Sequence, residues 1–139
     1  MADYTQPTVD VPALTLLLDG KYAEVRAMAR KRLVERADLL DKAIELDRHA
    51  YREEVLRVVL ELAEQGATGL GFPTEYGGGG DIGASIAAFE TMAFGDLSAL
   101  VKVGVQFGLF GGAILQLGTK KHHDAYLADV VAGRLLGSF

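Results

Sequence analysis

Three patterns in the chain have residue types that could do chemistry, and their spacing decides each case. Gly78, Gly80 and Gly83 match G-x-G-x-x-G, the fingerprint in which glycines let backbone approach a pyrophosphate at a helix N-terminus. That chemistry needs a buried strand just before the first glycine, and Pro73-Thr74-Glu75-Tyr76 stands there instead. No Lys-Ser/Thr pair follows, so a P-loop fails too. The glycines read as a tight turn feeding a helix, with Asp81 as its N-cap. His122 and His123 are adjacent, so on a helix they point about 100° apart and cannot chelate one metal; both are expected at the surface. Ser85, Ser98 and Ser138 lie outside any G-x-S-x-G elbow, and the acids are scattered without a general acid and base pair. No catalytic or metal-ligating set is therefore expected in this chain.

The elements that carry these residues fall into two halves. Residues 1–65 hold ten of the fourteen Lys and Arg, thirteen of the nineteen acids and one glycine, Gly20. Tyr22, Val25, Met28, Ala29 and Leu33 recur at helical spacing, with Glu24, Arg26, Arg30 and Lys31 on the other face. The run Arg30-Lys31-Arg32 reads as a solvated helix face, since acids interleave the bases. A short helix from Pro12 to Leu18 precedes it, broken at Asp19-Gly20, and a third runs from about Tyr51 to Gln65 on the stripe Val55, Val58, Val59, Leu62. Residues 38–50 fit helix or loop equally well.

The second half opens with a glycine-dense loop, GATGLGFPTEYGGGGDIG. A helix from Asp81 to about Gly95 follows, expected to carry Ile82, Ile86, Phe89 and Ala93 inward. Leu97 to Leu117 is the most hydrophobic stretch, with small-xxx-small spacings at Gly104-Gly108 and Gly108-Gly112. Lys102 and Gln106 interrupt it, so a fully buried helix with something packed tightly on its glycines is expected rather than a membrane span. Thr119 can cap a last helix, stopped by Gly133.

At 139 residues the chain has room for one core. Half its residues are apolar and a quarter charged, which excludes disorder as the main state, and a net charge of -5 argues against nucleic acid as a partner. The absence of cysteine excludes disulfides and thiolate chemistry. The start, MADYTQPTVDVP, has no basic region before an apolar stretch, so a cytoplasmic location is expected.

The order of motifs resembles the N-terminal helical domain of the acyl-CoA dehydrogenase and acyl-CoA oxidase superfamily from about Arg52 onward. The likeness rests on ELAEQGATGLGFPTEYGG (61–78), similar to a helix, glycine and "P-x-E-Y-G-G" loop; on AAFETMAFGDLS (87–98), similar to "E-x-x-x-x-x-D-x-S"; and on LGTKKHHDAYLADVVAGRLLGSF (117–139). The paired histidines and Phe110-Gly111-Gly112 look more like the oxidase branch.

This resemblance implies an all-α fold: a flexible tail at 1–10, the helical domain at 11–134, and at 135–139 the first strand of a middle β-domain that the chain lacks. It implies a FAD-dependent enzyme that takes the α-proton and β-hydride from a fatty acyl-CoA in β-oxidation, giving a trans-2-enoyl-CoA. The catalytic Glu and the Thr-Glu and Gly-Ser segments that bind flavin in relatives would lie in the missing β- and C-terminal helical domains, leaving this segment inactive alone. Phe139 would sit at the edge of the flavin-contacting segment, Val101, Val105, Gln106 and Phe107 would lie along the acyl chain, and the whole protein would be a homo-oligomer. The alternative is a free-standing helical interaction or acyl-binding module without catalysis, using the Leu97–Leu117 region.

Overall fold

The computed structural model describes residues 8–138, and these form helices joined by short turns and one long loop, with no strand. Phe139 and the first seven residues of the expected tail lie outside the described residues. Helix α1 (Val11–Asp19) starts where Asp10 accepts the Ala13 N–H at 3.0 Å, with proline in the first turn. It buries none of its side chains. A 3₁₀ turn, Gly20–Tyr22, leads into α2 (Ala23–Glu35), which buries only Ala29.

Residues 38–50 resolve into two helices. α3 (Asp38–Glu45) ends as Leu46 turns extended, and Asp47 restarts the chain: its carboxylate accepts the N–H groups of His49 at 2.7 Å and Ala50 at 3.1 Å. α4 (Arg48–Glu64) thus begins a turn earlier than its apolar stripe, and Val55, Val58, Val59 and Leu62 are all buried.

The glycine-dense loop is folded on itself. Gly79 N–H donates to the Gly69 carbonyl at 3.0 Å, Gly80 to Phe72 at 2.8 Å and Asp81 to Leu70 at 2.9 Å. A Cβ at residue 78 would run into the Phe72 carbonyl oxygen, and one at 83 into the Tyr22 hydroxyl. That hydroxyl donates to Asp81, which also caps α5 (Ile82–Met92) through the Ala84 N–H. Protein atoms therefore occupy the space that a fingerprint's glycines would leave for phosphate.

α5 faces the opposite way from its expected orientation. Ile82, Ile86 and Phe89 are 65%, 63% and 41% exposed and Ala93 is exposed, while Ala84, Ala87, Ala88 and Thr91 are buried. The small face lets α5 lie close against α2, its main partner, which a row of Ile and Phe would hold off. The large side chains are left on the outer face.

α6 (Leu97–Leu117) is long and apolar enough to cross a membrane by length and composition. It is not the fully buried helix that its composition suggests. Val103, Gln106, Phe107 and Gly111 enter the core, whereas Leu97, Val101, Leu109 and Leu117 are 70%, 55%, 55% and 84% exposed. Its centre, Gly104–Gly111, is π-helical. The close approach falls on Gly111, where a Cβ would meet Phe72 at 2.7 Å and Val130 at 2.9 Å; at Gly108 and Gly112 a Cβ would meet nothing within 4 Å.

The last helix, α7, spans residues 120–131 and is π-helical over His123–Leu127. At its start the Thr119 N–H donates to His122 Nδ1 at 3.1 Å, so that histidine serves as a cap. His123, expected at the surface, is half-buried with its ring edge-on to Tyr76 at 6.2 Å. Leu127 and Val130 are fully buried with Val59, and Gly133 ends the helix at φ 72°.

Two glycines three residues apart on α6, Gly108 and Gly111, should respond oppositely. Gly111→Ala overpacks the core and is expected to cost about 1–3 kcal/mol, whereas Gly108→Ala is expected to stabilise by up to about 1 kcal/mol through helix propensity. Chemical denaturation of both variants checks this. The Ala84 N–H, and after it the Tyr22 hydroxyl, hold the Asp81 carboxyl below its ordinary range. The native state therefore gains stability above the ordinary carboxylate range and loses it as pH falls through the lowered value. Asp81→Asn should flatten the acid limb of the stability profile, read from urea midpoints between neutral and acid pH.

Candidate functional site

The exposed faces of α5 and α6 and the loop before α5 enclose a groove of about 650 Å³. Its position follows from the two helices' packing. α5 turns its alanines to α2 and α6 turns Val103 and Phe107 to α4, so Ile86 and Phe89 of one face Val101, Val105 and Leu109 of the other. Gly104 brings the helices close, since a Cβ there would lie 3.3 Å from the Phe89 ring. Gly108 keeps the floor open.

The groove is lined by apolar residues apart from Thr68 and Ser85, and no ionisable side chain lines it. Such a surface suits an alkyl or other apolar ligand, held by area rather than by directed bonds. It offers no proton donor or acceptor of catalytic type, and among the described residues no group of three His, Asp or Glu could hold a metal.

Of the residues expected along an acyl chain, Val101 stands at the rim, Val105 lines the wall half-buried, and Phe107, 5% exposed, lies where groove and core meet. Gln106 turns the other way. Its side chain is buried; Nε2 donates to the Gly137 carbonyl at 2.8 Å and Oε1 accepts the Gly137 N–H at 2.8 Å. These paired bonds are what a neighbouring strand would make, supplied here by one amide group. Residues 135–138 carry no regular element and are held against α6 at that point, with Gly137 pressed on the Phe110 ring. Ile86, Phe89, Thr68 and Ser85 were not anticipated as lining residues. The spacing of Ile82, Ile86 and Phe89 does mark an apolar face, but periodicity alone does not say whether such a face meets a core or a ligand.

Gln106→Leu removes both partners of the Gly137 peptide groups. It is expected to cost about 1–3 kcal/mol and to speed amide exchange at Gly137 while the α4–α7 core stays protected, as measured by hydrogen exchange.

The family described as "Acyl-CoA dehydrogenase, N-terminal domain" matches residues 21–134. Among curated relatives, the chain is 30% identical over 122 residues to the peroxisomal acyl-coenzyme A oxidase 2 of Arabidopsis thaliana, covering 88% of this chain and 17% of that protein. It is 34% identical over 93 residues to the short-chain specific acyl-CoA dehydrogenase of Megasphaera elsdenii, covering 64% of this chain and 24% of that one. Among solved structures, butyryl-CoA dehydrogenase from Megasphaera elsdenii superposes with a TM-score of 0.60 at 23% identity, over 94% of this chain and 32% of the other. The chain thus spans a quarter or less of the length of these curated relatives.

Proposed function

Since the chain belongs to the acyl-CoA dehydrogenase family through its N-terminal domain, we propose that it forms one wall of the acyl site in a flavin-dependent acyl-CoA oxidase or dehydrogenase. The substrate is a fatty acyl-CoA, oxidised to a trans-2-enoyl-CoA as in β-oxidation, and the place of action is the cytoplasm. The observation that carries this reading is the uncharged groove between α5 and α6, which fits an alkyl chain. It does not fit FAD, because nothing lining it would neutralise a pyrophosphate. We therefore assign the flavin and the proton-abstracting base to polypeptide outside these 139 residues. FAD, when bound there, supplies the hydride acceptor. The task of this chain is to hold the alkyl tail through Val101, Val105, Phe107, Ile86 and Phe89, and to keep water from it. Gln106 acts one step removed, fixing the segment that leads to Phe139, which we assign to the flavin's edge. In the whole enzyme the remaining domains and further copies of the chain are the partners.

The test is displacement of an apolar fluorophore from the isolated chain. Octanoyl-CoA should displace it and free coenzyme A should not, with no flavin absorbance and no turnover. Gly108→Leu fills the groove from an open position and should weaken octanoyl-CoA binding about tenfold, roughly 1.4 kcal/mol. Equal competition by free coenzyme A would refute the reading, as would octanoyl-CoA that fails to bind.

A further inference from the structure

A second cavity of about 340 Å³ lies on the far side of α5, between α2, α3 and α4, away from the α6 face of the groove. Val25, Leu33, Leu39, Val58 and Leu62 make up much of its lining. Arg32, Arg36, Gln65 and Asp96 make up its polar part. Arg36 lies within ion-pair range of Glu54 and Glu61 but leaves Nε and Nη2 buried without a hydrogen-bond partner, whereas Asp96 caps α6 through the Ala99 N–H and accepts the Tyr51 hydroxyl. Its aliphatic stretch suits hydrocarbon, with the charged and amide groups confined to part of the lining.

Three residues, Ala67, Ala88 and Met92, line both this cavity and the groove. These residues stand where the two spaces adjoin, two of them with methyl side chains and one with a thioether. Alanine has no rotamer to change, so any opening depends on Met92, an unbranched side chain with three rotatable bonds that re-packs at low cost. Met92 is half-buried and sits in the last turn of α5, where the helix gives way to the turn before α6. On the far side the cavity reaches the surface beside Met28, Leu40 and Phe94, which are 56%, 50% and 87% exposed. Of the shared lining residues, Met92 alone has a side chain that can move aside.

We propose that the α2–α3–α4 cavity is a second subsite for the distal methylenes of long acyl chains, entered from the groove past Met92. The proposal rests on the groove being the acyl site. Short acyl groups end in the groove, and chains that outrun it continue into the cavity. Met92 is then a specificity-determining residue, and the outward mouth lets chain length grow without a closed end.

The probes are butyryl-, octanoyl- and hexadecanoyl-CoA carrying a diazirine on the terminal carbon, photolysed with the 139-residue chain, the labelled residues being read by mass spectrometry. Hexadecanoyl label on α2 or α3, with octanoyl label on α5 or α6, is the expected result. Met28→Trp narrows the cavity from an exposed position and should weaken hexadecanoyl-CoA binding about tenfold while leaving octanoyl-CoA unchanged. Met92→Ala should strengthen hexadecanoyl-CoA binding relative to octanoyl-CoA. Hexadecanoyl label confined to α5 and α6, with both variants indifferent to chain length, overturns the second subsite and leaves the groove reading standing. Labelling by no chain length overturns both.

Discussion

Val59, Leu127 and Val130 are fully buried in one core cluster shared by α4, α6 and α7, and this dry core is the constraint from which the rest of the arrangement follows. It makes a seat into which α6 presses Val103, Phe107 and the bare backbone of Gly111. A seat of that width accepts one face of an apolar helix. The remaining face, with Val101, Leu109 and Leu117, must then lie outside, and the hydrophobic effect gives it no partner among the described residues. The groove exists because α6 is apolar on more sides than its own domain can cover.

α5 contributes the facing wall by a complementary economy of size. Its alanine face allows an approach to α2 that its isoleucines would prevent, and the start of the helix is fixed by Tyr22, Asp81 and the missing side chain at Gly83. The glycine-dense loop before it is held by backbone bonds between residues 69–72 and 79–81. Composition there suggests softness, yet the glycines serve close packing of one backbone run on another. The loop places Thr68 and Phe72 at the inner end of the groove.

Much of this was legible in the residues. The stripe of α4, the Asp81 cap, the Gly133 stop and the all-α class follow from spacing and turn chemistry. The facing of α5 was not, because its pattern offers two apolar surfaces and the choice between them depends on how near α2 can come. Residues 38–50 were ambiguous because one aspartate, Asp47, carries the boundary without a proline or glycine beside it. Gln106 looked like an interruption in a hydrophobic run. Its role depends on Gly137, thirty-one residues away, and no local periodicity carries that pairing. The groove was legible only as a family likeness, since a ligand-facing apolar surface and a core-facing one have the same composition.

The π-helical centre of α6 has a consequence for how this domain tolerates length changes. Over Gly104–Gly111 the chain takes more residues per turn than the α-helix on either side, so the segment holds surplus chain within a continuous rod. One residue can be lost there as the segment tightens to an α-helix with the downstream half nearly in place, whereas one residue lost from the α-helical stretch before it, Leu97–Val103, would turn everything downstream by about 100° about its axis. Gly111 would leave Phe72 and Val130, and a side chain would arrive where only backbone fits. An insertion or deletion in the α-helical stretch of this rod therefore acts as a rotation of its second half, which ties the aim of the groove wall to residue count as firmly as to residue identity.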